Sequence, residues 1–271
     1  YIVSQLTREQ VSVVLTGDGG DELFAGYLRF NAAVIAGKVP PAVRGLIRAL
    51  ANISPTGSSS RGWMSRAHRF AAAASLPLEE RITRWTSLFY DDVEELLAPE
   101  FLQSVMPIDR LQYLNRFRDE ISGLSTLSQV LLINFNTYLL DDLLVKTDRC
   151  TMANSLEARS PFLDTELIDF VAGLPDAMKL SRGRTKVILR EAFRDLIPNE
   201  IQSRGKMGFG IPFGLWCRGA LREPLNDLLL APSARYKDYV SPAYVHRLVK
   251  HHRSGKVDLG LQLWTILCFE T

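Results

Sequence analysis

The sequence predicts an α/β protein that is mostly helical and contains few parallel strands. Residues Val11–Leu15 form a short apolar run, which is typical of a strand covered on both faces in a parallel sheet. After Phe30, apolar residues recur at helical spacing over most of the chain. A chain of 271 residues, 46% of them hydrophobic, can bury a sizeable core in one or two domains.

The first informative element is the acidic, glycine-rich turn GDGGDE that follows this strand at residues 17–22. Open α/β sheets bind ligands at the carboxyl ends of their strands, and the helix that follows directs amide N–H groups towards them. The glycines of the turn let the backbone approach a phosphate, and its acids then require a bridging cation, for which Mg²⁺ is the first choice. The glycines are Gly17, Gly19 and Gly20, and the acids are Asp18, Asp21 and Glu22. The alternative is an ordinary strand-to-helix turn in which Asp18 or Asp21 caps the helix.

The strand needs parallel neighbours, which are reached by crossover connections. Tyr1–Leu6 reads as the end of an ordered element and leads directly to the strand. We therefore expect a sheet formed by Tyr1–Leu15 together with segments outside this chain, and a sequence that starts inside a larger protein.

Several helical patterns follow the first helix and its continuation in Asn31–Gly37. They are Ala42–Ile53, Trp63–Ala74, Leu78–Tyr90 and Val93–Leu97. The small-residue stretch Ser54–Gly62 is expected to be an exposed connector.

A second informative stretch, Leu127–Arg149, is apolar on nearly every side and predicts a buried central helix. It contains Asp141 and Asp142, and buried carboxylates need a partner or a ligand. If these acids have a structural role, Asp142 is expected to form an ion pair with Lys146, four residues further along the helix. Downstream, Glu157, Arg159 and Asp164 surround a turn stopped by a proline, before a predicted helix at Thr165–Ala172.

A third stretch carries basic residues. Lys186 and Arg190 are spaced to share a helix face, and Lys206 lies in a glycine-rich loop between Gly205 and Gly208. Such a lysine can act as a mobile clamp for a phosphate and stabilise charge on a leaving group. A solvated basic loop is the alternative.

Composition excludes several classes of partner. A net charge of +2, with the basic residues dispersed, implies no nucleic acid. No apolar stretch has the length of a membrane span, so no membrane partner is expected. The three cysteines are odd in number and far apart, which predicts a cytoplasmic chain with unpaired, buried thiols.

The three stretches together resemble a known family. The strings TGDGGDELFAGY, YLLDDLLVKTDRCTMANSLEARSPFLD and GRTKVILREAF with SRGKMGFGIPFG resemble the C-terminal synthetase domain of bacterial glutamine-hydrolysing asparagine synthetases. The resemblance implies an adenine-nucleotide alpha-hydrolase-like fold of the PP-loop ATP pyrophosphatase class. It also implies conversion of aspartate, ATP and ammonia into asparagine, AMP and pyrophosphate through a β-aspartyl-adenylate. Ammonia would come from glutamine through an N-terminal glutaminase domain, and the residues leave open whether the chain forms a homodimer.

The resemblance divides the chain into three regions. Residues 1–30 would form the strand, turn and helix of the nucleotide site, 31–125 a helical insertion, and 126–271 a helical region for substrate and pyrophosphate.

Roles carry over by position. Thr16 and Gly17 match residues that touch ATP, and Asp21 matches the aspartate that holds Mg²⁺ and pyrophosphate. Asp18 matches the acid that supports the adenylate and takes a proton from the attacking ammonia, a task suited to a carboxylate among other acids. Asp142, or as second choice Asp141, matches an acid that supports this base. Lys206 matches the loop lysine that binds the leaving pyrophosphate. Lys186, Glu157 and Arg159 match positions near nucleotide and substrate.

The chain also departs from the family pattern. The pyrophosphate-binding string Ser-Gly-Gly-x-Asp-Ser and the N-terminal catalytic cysteine of the glutaminase are absent from the 271 residues, and Asp18 replaces a glutamate of some relatives. The chain is therefore expected to be only part of the catalytic domain, and inactive by itself.

Two alternatives remain at this level. A related adenylating amide synthetase, such as a β-lactam synthetase or an enzyme that modifies polysaccharide, would share the fold. β-Lactam synthetases carry tyrosine in place of Asp18, so the acid favours ammonia as nucleophile. The missing phosphate loop favours the other alternative, a non-catalytic helical fragment that serves as an interaction module.

Overall fold

The computed structural model describes residues 1–40, 43–45, 49, 63–203 and 210–271. The predicted connector at residues 54–62, most of the predicted helix at residues 42–53, and Lys206 lie outside the described residues. The described chain is mostly helical, as predicted, and it contains two short two-stranded sheets.

Helices dominate the chain from its first residues to its last. The first half of the chain contains α1 (Ile2–Arg8), β1 (Val13–Leu15), α2 (Gly20–Leu23), α3 (Leu28–Lys38), α4 (Trp63–Ala73), α5 (Leu78–Thr86), α6 (Val93–Leu96), α7 (Pro99–Val105), α8 (Gln112–Asn115), α9 (Arg118–Ile121) and α10 (Thr126–Asn134). The second half begins with a π-helix (Phe135–Leu144), α11 (Val145–Met152), β2 (Glu157–Arg159), a 3₁₀ turn (Pro161–Leu163), α12 (Thr165–Ala172), α13 (Asp176–Lys179), β3 (Leu180–Ser181), β4 (Arg184–Thr185) and α14 (Val187–Ala192). It ends with α15 (Asn199–Ser203), α16 (Phe213–Arg218), α17 (Arg222–Leu229), a 3₁₀ turn (Arg235–Asp238), α18 (Pro242–Arg253) and α19 (Gly260–Glu270).

These elements form two compact units. Tyr1–Val39 and Leu114–Gly205 make up the first unit, and Pro40–Tyr113 and Lys206–Thr271 make up the second. The acidic turn and the strands belong to the first unit.

A parallel strand pair is the centre of the first unit. β1 pairs with β2 in the register Val13 with Glu157 and Leu15 with Arg159. The expectation that all partners of β1 lie outside the chain is therefore wrong, because a segment far downstream returns to pair with it. The expectation of strand structure within Tyr1–Leu6 is also wrong, since Tyr1 is the N-cap of α1 and the other five residues lie in this helix. Within the described residues, β1 is not covered on both faces as predicted, because Leu15 is 69% exposed.

The antiparallel pair β3–β4 was not predicted. Leu180 pairs with Thr185 and Ser181 pairs with Arg184. Arg182 and Gly183 link the strands with φ angles of 50° and 79°, the left-handed conformation that tight hairpins require at both central positions. This hairpin delivers Lys186 at its end.

The predicted central helix is divided into α10, the π-helix and α11. Its first part is buried through Leu127, Val130 and Ile133, as predicted. Asp141 and Asp142 are exposed, so the prediction of burial is wrong for this part. The predicted ion pair between Asp142 and Lys146 is absent from the described structure, because the wider π-helical turn changes the spacing of neighbouring side chains.

Side-chain hydrogen bonds mark the start of the π-helix. Asn136 donates its side-chain amide to the carbonyl of Leu132 at 3.0 Å, and Thr137 donates its hydroxyl to the carbonyl of Ile133 at 2.6 Å. Side chains that occupy the carbonyls four residues earlier compete with the regular helical bonds. This competition accompanies the change from α- to π-helix.

The second unit has its own apolar core. Tyr236, Leu229, Val245 and Leu263 are fully buried in it, in the segment from α17 to α19.

The predicted helix Trp63–Ala74 is confirmed as α4, whereas the one predicted to end at Tyr90 stops at Thr86. The helix Thr165–Ala172 of the first unit is confirmed without change as α12.

His252 is a buried polar group of the second unit, with 1% of its surface exposed. Its Nδ1 accepts a hydrogen bond from the backbone N–H of Leu259 at 3.0 Å, and its Nε2 lies 3.0 Å from the carbonyl of Gly214. This arrangement fixes a neutral ring that donates from Nε2. Burial lowers the pKa of His252 below its usual value.

The remaining composition-based expectations have mixed outcomes. All three cysteines are free, but only Cys217 is buried, and Cys268 is exposed, so the prediction of buried thiols is wrong for Cys268. Within the described ranges, no helix has the length and apolar character needed to cross a membrane.

Candidate functional site

The site begins where β1 ends. The backbone N–H of Thr16 donates to the carbonyl of Arg159 at 2.8 Å, which continues the parallel pairing by one residue. The hydroxyl oxygens of Thr16 and Ser160 lie 2.7 Å apart. The carboxyl ends of the two strands therefore meet at Thr16, at the edge where parallel sheets bind ligands.

The glycines of the turn have different tasks. Gly19 has a φ of 88°, and a Cβ placed on it would lie 2.4 Å from Cδ2 of Leu163. A Cβ on Gly20 would lie 3.1 Å from the ring of Phe162. These two glycines are thus needed for packing under the 3₁₀ turn, whereas a Cβ on Gly17 would meet nothing within 4 Å. Gly17 is the glycine that leaves open space for a ligand.

The capping interpretation of the turn is wrong. Gly19 is the N-cap of α2, and no side chain caps this helix. α2 contains only the four residues Gly20–Leu23, so it offers a weaker anion site than the longer helix expected from the sequence. The acids of the turn are therefore available for other contacts.

Each acid of the turn has a different environment. Asp18 is half-buried and makes no hydrogen bond or ion pair with the described part of the chain. Asp21 pairs with Lys186, whose Nζ lies 2.6 Å from its Oδ1. Glu22 is only 2% exposed and accepts a hydrogen bond from the hydroxyl of Tyr27 at 2.6 Å. The turn thus directs Glu22 into the interior and leaves Asp18 and Asp21 nearer to the surface.

Backbone geometry places Lys186 on Asp21. Lys186 has a φ of 53°, in the left-handed region that non-glycine residues rarely adopt. Its N–H donates to the carbonyl of Phe24 at 3.0 Å. A Cβ on Gly26 would lie 1.9 Å from Oδ1 of Asp21 and 2.5 Å from Cε of Lys186. Only glycine at this position leaves room for the ion pair.

Arg190, which was predicted to share a helix face with Lys186, makes a different contact. Lys186 is the N-cap of α14, whereas Arg190 donates from Nη1 to the carbonyl of Gln202 at 2.9 Å. Of this pair, Lys186 is the residue that the described contacts bring to the acidic turn.

Glu157 and Arg159 lie beside β1 through the strand register. Nε of Arg159 donates to Oε1 of Glu157 at 2.7 Å, and both side chains are more than half exposed. Because residues two apart on a strand share a face, both side chains stand on the same side of the sheet. Their exposure leaves them accessible to a substrate.

Asp142 belongs to the π-helix, and its carboxylate affects the pKa of Tyr138. Burial raises the pKa of Tyr138, and the carboxylate of Asp142 raises it further. No described contact joins Asp142 to Asp18, so its predicted role in supporting the base stays a prediction, as does the role of Lys206.

Sequence reasoning missed three residues around the turn. Gly26 makes room for the ion pair, Tyr27 binds Glu22, and the guanidinium of Arg29 lies 4.0 Å from the centre of the Tyr27 ring. The string FAGYLRF offered a signal, because a glycine, three aromatic residues and an arginine closely follow the acidic turn.

The same geometry limits how the site could hold a metal ion. No three His, Cys, Asp or Glu side chains of the described ranges are grouped so that they could hold a metal ion. The acids therefore do not form a site made of protein ligands alone. Asp21, in the helix that follows the acidic turn, fits the mode in which Mg²⁺ takes one or two carboxylates and completes its shell with phosphate oxygens and water.

Comparisons with known proteins identify a family and several relatives that resemble this chain. The asparagine synthase family matches residues 1–271, the whole chain. The chain is 27% identical to "Asparagine synthetase (glutamine-hydrolyzing) 1" of Bacillus subtilis (strain 168), over 99% of this chain and 41% of the relative. It is 33% identical to a "Putative asparagine synthetase (glutamine-hydrolyzing)" of Mycobacterium bovis, over 99% of this chain and 40% of the relative. It is also 27% identical to "Amidase chyE" of Penicillium rubens, over 93% of this chain and 40% of the relative.

The chain thus spans about two fifths of the length of these curated relatives. Because the family match covers every residue, including the acidic turn, its parallel partner strand and Lys186, the chain belongs to the asparagine synthase family.

Proposed function

We propose that this chain is part of an ATP-dependent ligase that converts aspartate, ATP and ammonia into asparagine, AMP and pyrophosphate. The observation that carries the proposal is the pair of Asp21 and Lys186 beside a parallel strand end, in a chain that matches the asparagine synthase family throughout. The fold of the whole domain would be the adenine-nucleotide alpha-hydrolase-like, PP-loop class.

In the first step, the β-carboxylate of aspartate would attack the α-phosphorus of ATP and displace pyrophosphate. Thr16 and Gly17 border the strand end where the nucleotide would lie, and Gly17 leaves the space for close approach. Lys186 and Lys206 would supply positive charge where negative charge develops on the departing pyrophosphate. The exposed pair of Glu157 and Arg159 would contact the substrate from the neighbouring strand.

In the second step, ammonia would attack the carbonyl carbon of the β-aspartyl-adenylate, AMP would leave, and the nitrogen would lose a proton. Asp18 would accept this proton, because it is the acid of the turn with no hydrogen bond or ion pair in the described structure. Asp142 would support this base from the π-helix.

The proposal includes Mg²⁺ with ATP. When bound, the ion would neutralise phosphate charge, and Asp21 is the protein ligand that the site offers. Lys186 already pairs with this carboxylate, so the lysine and the ion would share it, with the lysine holding Asp21 in place.

Ammonia would be delivered from glutamine by a glutaminase domain of the whole protein. The names of the Bacillus subtilis and Mycobacterium bovis relatives, which include glutamine hydrolysis, support this part of the proposal. The free cysteines are consistent with a reducing compartment, so we propose the cytoplasm as its location.

The test is a product assay on the full-length protein with aspartate, ATP, Mg²⁺ and ammonium. We expect asparagine, AMP and pyrophosphate in equal amounts, and no pyrophosphate when aspartate is omitted. Pyrophosphate release without asparagine, or no reaction with either ammonium or glutamine, would contradict the proposal.

A related amide-forming enzyme with another acyl substrate is the second candidate, because a Penicillium rubens relative of similar coverage carries the name of an amidase. The same assay separates the two when other carboxylic acids replace aspartate. Amide formation with such an acid, at a rate well above that with aspartate, would favour the second candidate.

A further inference from the structure

Arg29 occupies an aromatic cage next to the acidic turn. Its Cζ lies 4.0 Å from the ring centre of Tyr27, 4.9 Å from that of Tyr138 and 5.4 Å from that of Phe30. The rings of Tyr27 and Tyr138 meet edge to face, with centres 6.1 Å apart. A guanidinium at these distances is attracted to the ring faces, and its planar shape allows it to stack.

The cage leaves two donors of Arg29 without acceptors. Its Nε and Nη2 are buried and make no hydrogen bond in the described structure. Burial lowers the pKa of Arg29, and the nearby tyrosines and the carboxylates of Glu22 and Asp21 act in the opposite direction. Buried donors without acceptors destabilise a fold. The burial of Arg29 therefore calls for an explanation.

The positive charge of Arg29 can compensate the negative charge of the buried Glu22 carboxylate. This carboxylate is 2% exposed and has no ion-pair partner within the described structure, where Tyr27 donates a hydrogen bond to it. A buried carboxylate needs compensating positive charge. The Arg29 guanidinium packs on Tyr27, the residue that donates to Glu22, and its positive charge and the Glu22 carboxylate attract each other.

The same cage joins two separate parts of the site. Tyr27 precedes α3 and holds Glu22 of the acidic turn, whereas Tyr138 belongs to the π-helix that carries Asp142. Arg29 contacts both rings. It therefore lies at the junction between the acidic turn and the π-helix.

We propose that Arg29 is a positioning residue of the nucleotide site: it keeps the Glu22 carboxylate buried on Tyr27, so that the turn presents only Asp18 and Asp21 to the phosphates. This inference rests on the proposed function. Without Arg29, the Glu22 carboxylate loses its compensating charge and turns towards water, which adds a third negative charge beside the phosphates. The expected consequence is weaker binding of Mg·ATP.

Three variants of the full-length protein separate charge from shape. Arg29→Met keeps an apolar side chain of similar length without the charge, and we expect the KM for Mg·ATP to rise about tenfold with kcat changed less. Arg29→Lys keeps the charge without the planar fork and should show a smaller rise. In the double variant Glu22→Gln/Arg29→Met, the neutral amide no longer needs a cation, so most of the affinity should return.

The outcomes separate this inference from a purely structural role. A structural loss would lower the folded fraction and therefore kcat, leave KM unchanged, and remain after Glu22→Gln. An unchanged KM in Arg29→Met, or a raised KM that Glu22→Gln does not relieve, would overturn the inference. If Arg29→Met fails to fold, the pair Arg29→Gln and Glu22→Gln/Arg29→Gln gives the same comparison, because glutamine is also uncharged. Absence of asparagine synthesis by the wild-type protein would instead overturn the proposed function.

Discussion

Nζ of Lys186 lies 2.6 Å from Oδ1 of Asp21, and both side chains are largely buried. The pair reduces the negative charge of the acidic turn at the strand end. It depends on the absence of a side chain at Gly26, where a Cβ would overlap both partners.

The first prediction concerns this close approach. Gly26→Ala should destabilise the protein by about 1–3 kcal/mol, because an added methyl group forces packed atoms to move, and it should displace Lys186 from Asp21. Chemical denaturation and ATP-dependent pyrophosphate release measure the two effects. Gly17→Ala is the matched control for stability, since its Cβ meets nothing within 4 Å. Equal unfolding midpoints for the two variants would show that the ion pair does not need Gly26.

The second prediction concerns Asp18 in the full-length protein. Asp18→Asn keeps the size of the side chain but cannot accept a proton, so asparagine formation should fall about a hundredfold or more. Pyrophosphate release should fall less, because proton transfer belongs to the second step. Asp18→Glu is the control and should retain activity, since a carboxylate remains. An Asp18→Asn variant that forms both products in the wild-type ratio and at the wild-type rate would exclude Asp18 as the base.

The third prediction concerns Lys206. Lys206→Ala should slow pyrophosphate release and asparagine formation together, because it removes positive charge from the adenylation step; one such contact contributes about 3 kcal/mol, or about a hundredfold in rate. Lys256→Ala removes an exposed lysine that also follows a glycine and should leave both rates unchanged. A fall in asparagine alone would assign Lys206 to the second step.

The fourth prediction concerns pH. Burial holds the pKa of His252 below its usual value of about 6.5, so the unfolded chain binds more protons in the acidic range. The stability contributed by the neutral ring is fully present above about pH 6.5 and is lost as the pH falls through the folded-state pKa. Arg218 and Arg253 oppose protonation, whereas Asp258 favours it. The loss should approach about 1.4 kcal/mol per pH unit.

Denaturant unfolding of wild type and His252→Gln between pH 5 and 8 measures this effect. Glutamine can accept from Leu259 and donate to Gly214 without titrating, so the variant should show a weaker dependence on pH. The other histidines are common to both proteins and cancel in the comparison. Identical slopes would mean that His252 does not control acid stability.

Local sequence signals predicted much of the fold. Regular apolar spacing gave the bounds of α12, and the short β-branched run identified β1. The Asp164 side chain, which caps α12 by accepting from the N–H of Leu167, was not predicted. The GDGGDE string correctly placed a turn at the end of β1. These features depend on residues close to one another in sequence.

Long-range pairing and side-chain competition explain what local signals missed. β2 contains only Glu157–Arg159, too few residues for a recognisable strand pattern, and it becomes a strand through pairing with β1. The π-helix depends on the side chains of Asn136 and Thr137 bonding to backbone carbonyls, which apolar periodicity does not reveal. The cage around Arg29 joins α3 to the π-helix and required the folded structure to be seen.

The contact between Thr16 and Ser160 also has a consequence for protein synthesis. These hydroxyls are 144 residues apart in sequence, so a growing chain cannot make this contact until Ser160 has left the ribosome. At about 5–20 residues per second, the acidic turn would wait roughly 7–30 s for its partner strand. The acidic turn is thus made well before β2, and its contacts with that strand form only after β2 has been synthesised.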